Sequence, residues 1–316
     1  MLQTVIVIDK GYAEARIEMN LTASRTERTR AFMEEFRPSA TAQRAGLKRA
    51  AHQLLDAPKV FDDRVALRIV GKENSQTLEA DPYRFEASPL SPYLRAFVAA
   101  RSRYAEDQLA AGIHRGVCQY VILGAGLDTF AYRNPYSQSV LRVFEVDHAG
   151  TQAWKRARLK EAGIALPDSL TFVPVDFEKQ TLVEGLQGAG YDSRKCTFFS
   201  WLGVTEYLTT EAVMRTLHFV ASTPVGSGIV FDYMLSPSLL TPAHRSRFDA
   251  LAQRVESAGE PWQAFFDPAL LTRDLQAMRF GCVEDMGPDE INARYFKERK
   301  DGLRVGSLSH IMSAWV

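Results

Sequence analysis

Residues 117–133 read VCQYVILGAGLDTFAYR. A run rich in apolar and β-branched residues, VCQYVILG (117–124), breaks off into Gly124-Ala125-Gly126. Runs of this texture are strands buried on both faces, as in a parallel sheet covered by helices. The texture returns in VLRVFEVD (140–147), LTFVPVD (170–176), CTFFSWLG (196–203) and GIVFDYML (228–235), with later candidates at 282–286 and 309–316. Helical stretches separate them, among them TQAWKRARLKEAG (151–163) and TEAVMRTLHFVAS (210–222). The alternation predicts a doubly wound α/β domain, in which ligands bind beyond the carboxyl ends of the strands.

Outward from this core the texture changes. Residues 20–60 read as two or three short helices, capped at Thr22 or Ser24 and punctuated by Pro38 and Gly46. The segment 73–93 (ENSQTLEADPYRFEASPLSPY) reads as a loop, and a helix from about Tyr93 to Ala111 is expected to close at Gly112. Between 235 and 266, Pro237, Pro242 and Pro261 interrupt the pattern around a helix from Ala243 to Ser257. The expected organisation is a helical cap and flap over 1–111, then a catalytic domain over 112–316 with a helical lid inserted at about 235–266.

Composition narrows the function. Lys plus Arg and Asp plus Glu each total 38 of 316 residues, so no net charge draws the chain to nucleic acid or an anionic membrane. No apolar run reaches the ~20 residues of a membrane span. Cys118, Cys196 and Cys282 are widely separated, which argues against a zinc site or a disulfide framework and fits a reducing cytoplasm. The expectation is a cytoplasmic protein that binds neither nucleic acid, membrane nor metal; oligomeric state is not readable.

Three successive strand ends carry groups suited to one ligand. The glycine turn lets a ligand approach the backbone, with a helix expected to follow it. Glu145 and Asp147 end the next strand, about 20 residues on, where an acid receives ribose hydroxyls. Asp176 and Phe177 end the third, a carboxylate and a ring suited to adenine. Taken singly, Asp128, Asp147 and Asp176 also read as helix caps or solvated loop residues.

VILGAGLDTFAYR resembles the motif of S-adenosylmethionine-dependent methyltransferases related to leucine carboxyl methyltransferase, which include bacterial and polyketide-pathway O-methyltransferases. The resemblance runs from about Ser24 to the C-terminus, through RSRYAED (101–107), FEVDH (144–148), VPVDFE (173–178), SWLGVTEYLT (200–209) and GEPWQAFFDP (259–268). It implies a class I, Rossmann-like sheet of seven strands with the last antiparallel, and S-adenosyl-L-methionine as cofactor. It further implies that Arg101 meets the methionine carboxylate and that Gly124, Ala125 and Gly126 let the methionine portion lie on the backbone. Asp147 would hold the ribose, Asp176 and Phe177 the adenine, and Ser200 to Leu202 would line the sulfonium side. Two positions depart from the pattern: Phe130 stands where many relatives have Arg, and Leu202 where the leucine carboxyl branch has a glutamate beside the methionine amino group. Glu206, one turn on, is either a substitute for that glutamate or a solvated residue. The second departure favours the small-molecule branch over protein carboxyl methylation.

The implied reaction is O-methylation of a small-molecule carboxylate or phenol in secondary metabolism. A carboxylate acceptor is already ionised near neutrality, whereas a phenol gains from a base. Base candidates near the strand ends are His148, Tyr207, Asp232, Tyr233 and His244, none with a partner at a diagnostic spacing. Arg245, Arg247 or Tyr233 are candidates to clamp a substrate carboxylate. Trp262, Phe265 and Phe266, with Phe32, Phe36 and Leu47 opposite, either wall an apolar pocket or pack in the core. Two other readings stand beside this one: a nicotinamide-dependent oxidoreductase, which lacks the third glycine and a YxxxK relay, and a non-catalytic cofactor-binding regulator.

Overall fold

In the computed structural model, which describes residues 39–177, 180–257 and 259–316, the apolar run before the glycine turn forms β1 (Gln119–Leu123), buried along its whole length. Its side chains alternate between two cores. Val121 and Leu123 face one with Phe199, Trp201 and Phe231, while Tyr120 and Ile122 face the other with Phe198 and Val230. Parallel partners flank it: β2 (Arg142–Asp147) and then β3 (Leu170–Pro174) on one side, β4 (Thr197–Trp201) and β5 (Gly228–Met234) on the other. β6 (Cys282–Met286) and β7 (Ser309–Trp315) complete seven strands in the order β3-β2-β1-β4-β5-β7-β6, with β7 antiparallel to both neighbours. This is the Rossmann-like sheet that the resemblance implied.

Numbered along the chain, the helices are α1 (Ala40–Leu55), α2 (Ala66–Ile69), α3 (Lys72–Ala80), α4 (Ser91–His114), α5 (Ala149–Glu161), α6 (Leu182–Gln187), α7 (Thr210–Ala221), α8 (Pro242–Ser257), α9 (Pro268–Ala277) and α10 (Pro288–Tyr295). Three expectations are corrected. Residues 72–80 are helical, because buried Leu78 anchors this polar segment in the cap core. Gly46 lies inside α1, where a Cβ would come within 2.9 Å of Leu127 Cδ1. Gly112 lies inside α4, which runs on through 111/112 to His114. The helix caps read at Thr22 and Ser24, and Phe32 and Phe36, lie outside the described residues.

Trp315 explains Gly112. A Cβ on Gly112 would meet its Cη2 at 2.9 Å, and one on Gly228, its register partner, would meet Cε3 at 2.4 Å. The indole thus fits between a helix and a strand that both lack side chains there, with Arg115 over its ring at 4.1 Å. Gly228→Ala forces that ring to move, so a loss of about 1–3 kcal/mol is expected, read as a lower Tm in thermal unfolding.

The cap helices are tied by a buried polar network. His52 Nε2 accepts from the Val60 and Phe61 amides at 3.1 and 3.2 Å, which leaves Nδ1–H to donate to Asp56 at 2.6 Å. Arg95 of α4 grips both Asp56 oxygens at 2.9 and 3.1 Å. Burial opposes ionisation of Asp56, but these hydrogen bonds and the Arg95 charge hold its carboxyl below the ordinary range. Leu47, Ala50, Ile69 and Leu78 pack with Leu127 of the glycine turn and Leu159 of α5, so the cap rests directly beside the turn. Pro38–Val316 form one compact unit.

Candidate functional site

A cavity of about 430 Å³ opens where β1, β2 and β4 end. Arg101, Gly124, Ala125, Gly126, Asp147, Asp176, Phe177, Ser200 and Leu202 all line it. Parallel strands deliver their last residues to one edge, so two sequence-distant acids, Asp147 and Asp176, meet the glycine turn there.

The turn is built by backbone conformation. Gly124 and Gly126 have φ +62° and +43°, a region that L side chains rarely adopt, and a Cβ on Gly124 would meet Val204 Cγ2 at 2.4 Å. The helix expected after the turn is only a 3-10 turn at Phe130–Tyr132, so no helix N-terminus faces the cavity from here. Asp147 supplies the order instead: its Oδ2 accepts from Gly126 N at 2.6 Å and its Oδ1 from His148 N at 2.7 Å. Each carboxylate oxygen keeps a lone pair for a further donor, which is the capacity a ribose diol requires. Burial pushes the Asp147 carboxyl up against the pull of those amides.

Glu145, read with Asp147 as a ribose acid, points elsewhere. It is fully buried 2.7 Å from the equally buried Lys155 and does not line the cavity. On the third strand end, the Asp176 N–H donates to Gln180 Oε1 at 3.3 Å, and the Phe177 ring lies 6.2 Å from that of Trp201. Ser200 Oγ accepts from the Tyr120 hydroxyl at 2.8 Å. At the cavity floor, Arg101 Nη1 donates to Asp232 Oδ2 at 2.6 Å, and Asp232 Oδ1 accepts from Gly203 N at 2.6 Å. Gly203 has φ +74°, and a Cβ there would strike the Arg101 guanidinium at 2.5 Å.

The leucine carboxyl methyltransferase family model matches residues 42–221, which contain the turn and both acidic strand ends. The chain belongs to the leucine carboxyl methyltransferase family. The YktD protein of Bacillus subtilis, named as an S-adenosyl-L-methionine-dependent methyltransferase, is 32% identical over 302 residues, 89% of this chain and 99% of that one. A Mycolicibacterium paratuberculosis protein of the same designation is 31% identical over 250 residues, 76% of this chain and 70% of that one. Among solved structures, a Thermobifida fusca protein crystallised under the name of a methyltransferase superposes with TM-score 0.52 at 15% identity, covering 89% of this chain and 95% of that one. A Streptomyces avermitilis protein gives TM-score 0.50 at 15% identity over 79% and 97% of the two chains. These two likenesses speak to the fold. The protein is an S-adenosylmethionine-dependent methyltransferase, and the oxidoreductase and non-catalytic readings give way to it.

The base candidates of this methyltransferase separate. His148 lines the cavity, but as the N-cap of α5 its Nδ1 accepts from Gly150 N at 3.2 Å. Tyr207 also lines it; burial first, then the Glu206 charge, push its hydroxyl up to about 12, although it is bonded to Thr41. Tyr233 is buried, donates to Asp285 of β6 at 2.8 Å and is not part of the lining. His244 sits on α8 outside the lining, and exposed Arg245 is held by Asp249 at 3.0 Å and the Pro237 carbonyl at 3.2 Å. The Arg247 side chain lies outside what is described.

The segment 259–263 reaches the methyltransferase cavity without the aromatics expected there. Trp262 and Phe265 pack on Phe248 with ring centroids at 5.5 and 5.4 Å, Phe266 packs on Tyr233, and Leu47 belongs to the cap core. Gly259, Glu260, Pro261 and Gln263 form the wall instead. Gln263 is fixed by its N–H to the Glu206 carbonyl and by Nε2 to the Tyr207 carbonyl, both at 2.7 Å. Glu260 accepts from Ser39 at 3.3 Å and from Thr41, at the start of α1. Asp232 and Glu260 are the contributors that sequence reading missed in these roles. A lone carboxylate inside the apolar strand GIVFDYML was the available signal for the first.

Among the described residues no helix is long and apolar enough to cross a membrane, and no cluster of His, Cys, Asp and Glu could hold a metal ion.

Proposed function

We propose that this methyltransferase transfers the cofactor's methyl group to an oxygen of a small-molecule carboxylate or phenol, in the cytoplasm and in secondary metabolism. The observation that carries the cofactor side is the convergence of the nine residues on one cavity, with turn geometry and free acceptor capacity that fit the group. In this reading Arg101 binds the methionine carboxylate, Gly124, Ala125 and Gly126 bed the methionine portion, and Asp147 accepts from the ribose. Asp176 and Phe177 take the adenine, while Ser200 and Leu202 line the sulfonium side.

When bound, the cofactor would supply an electrophilic methyl on a sulfonium; an acceptor oxygen would bond to that methyl carbon in line as the carbon–sulfur bond breaks, with S-adenosylhomocysteine as the leaving group. The chain's part is to align that oxygen and exclude water, which in favourable cases supplies ~7–11 kcal/mol. Tyr207, Glu260 and Gln263 face the cavity on the lid side and would orient the acceptor. With its hydroxyl pushed up to about 12, Tyr207 stays neutral near pH 7 and orients rather than abstracts. The site therefore favours an acceptor that arrives ionised, a carboxylate or an acidic phenol.

Incubation with methyl-labelled cofactor and a panel of carboxylates, phenols, amines and thiols tests this. Label on carboxylates is released as methanol by mild alkali, and label on phenols resists it. Transfer confined to nitrogen or sulfur acceptors overturns the reading.

A further inference from the structure

Glu206 sits beside the cavity floor and takes no part in the reaction as read above. It lies on the 3-10 turn Thr205–Tyr207, whose Thr205 hydroxyl donates to the Asp232 carbonyl at 2.6 Å. It is not among the lining residues, and its Oε2 is buried with no hydrogen-bond partner. An ionised oxygen without a donor bears a large desolvation penalty, and a protonated carboxyl a far smaller one. Two carboxylates act on one guanidinium: Asp232 by direct contact at 2.6 Å, and Glu206 through its charge in buried surroundings. With both ionised, the cluster of Arg101, Asp232 and Glu206 carries one net negative charge, which opposes an incoming carboxylate. With Glu206 neutral, the pair at 2.6 Å is balanced and the remaining Arg101 N–H groups stay available as donors.

We propose that Glu206 is a positioning residue that works as a neutral acid: its proton keeps Arg101 receptive to the α-carboxylate of the cofactor's methionine tail, and losing that proton weakens tail binding. The inference rests on the reading of Arg101 as the tail receiver. Burial, then the Asp232 charge, raise the Glu206 carboxyl well above the ordinary range, with Arg101 opposing. The facing groups are Asp232 of β5, Arg101 of α4 and, on its own turn, Tyr207. Beyond Tyr207 lie Thr41 of α1 and Glu260, which Thr41 and Ser39 hold.

Titration calorimetry on the full chain between about pH 6 and pH 9 tests this, with S-adenosylhomocysteine and with 5′-methylthioadenosine, which lacks the amino-acid tail. For the unmodified protein, affinity for S-adenosylhomocysteine falls about tenfold toward the alkaline end, one pKa unit of coupling, while 5′-methylthioadenosine binding stays level. Glu206→Gln fixes the neutral form and holds the low-pH affinity throughout; Glu206→Met repeats the measurement should the first variant fold poorly. The ligand's own amine titrates equally against every protein and cancels in the comparison. A wild-type profile that matches the variants overturns the proposal. So does a wild-type affinity that rises with pH relative to the variants, which marks Glu206 as an anion receiving the ammonium. If S-adenosylhomocysteine binds no tighter than 5′-methylthioadenosine at any pH, the Arg101 reading fails and takes the proposal with it.

Discussion

Arg101→Met is expected to lower stability by about 3–5 kcal/mol, the usual result of leaving one partner of a buried ion pair behind. In a protein of this size that is a fall in Tm of roughly 10 °C. The orphaned group is Asp232, 2% exposed on β5, which would keep the Gly203 amide but lose its cation. Arg101→Met/Asp232→Asn removes the unpaired charge and restores most of the loss. Cofactor binding separates the two consequences. The double variant stays deficient for S-adenosylhomocysteine, whose tail carboxylate has lost its receiver, while 5′-methylthioadenosine binds normally. Full S-adenosylhomocysteine affinity in the refolded double variant would show that Arg101 is structural only.

Asp147→Ala is expected to have the opposite ligand signature. Two charge-assisted contacts to the ribose, at ~1.5 kcal/mol each, amount to about 3 kcal/mol, or more than a hundredfold in affinity. 5′-Methylthioadenosine keeps the ribose, so it should lose as much as S-adenosylhomocysteine. The same substitution frees the Gly126 and His148 amides, which Asp147 binds at 2.6 and 2.7 Å. A modest fall in Tm should therefore accompany the binding loss. Calorimetry with both ligands reads the first effect and thermal unfolding the second; unchanged affinity for either ligand removes Asp147 from the ribose position.

The legible parts of this protein are those written in short-range pattern. Apolar strand runs ending in glycine or an acid place Gly124, Asp147 and Asp176 at strand ends, and a parallel sheet carries strand ends to one edge. Residues whose roles depend on a distant partner were not legible. Gly112 and Gly46 read as helix punctuation, yet each is small because Trp315 or Leu127 presses against it from another element. Glu145 and Asp147 are two residues apart with the same chemistry. Strand alternation would put both on one face, yet Lys155 of α5 holds Glu145 in the core while Asp147 reaches the cavity. Tyr233 and His244 stand near strand ends in sequence, but the Tyr233 hydroxyl is spent on Asp285 of β6 and His244 sits on α8, so neither lines the cavity.

By itself, then, the sequence determined the sheet and the residues at three strand ends, because alternation, apolar runs and turn chemistry act over a few residues; the cofactor class came from the resemblance of its motif to a known family. The tertiary structure alone decided which carboxylates are buried and paired. It also decided that Glu260 and Gln263, rather than the neighbouring aromatics, wall the cavity, and that Arg101 answers to Asp232, 131 residues away. Burial and charge pairing depend on what lies across the fold, and no local spacing encodes that.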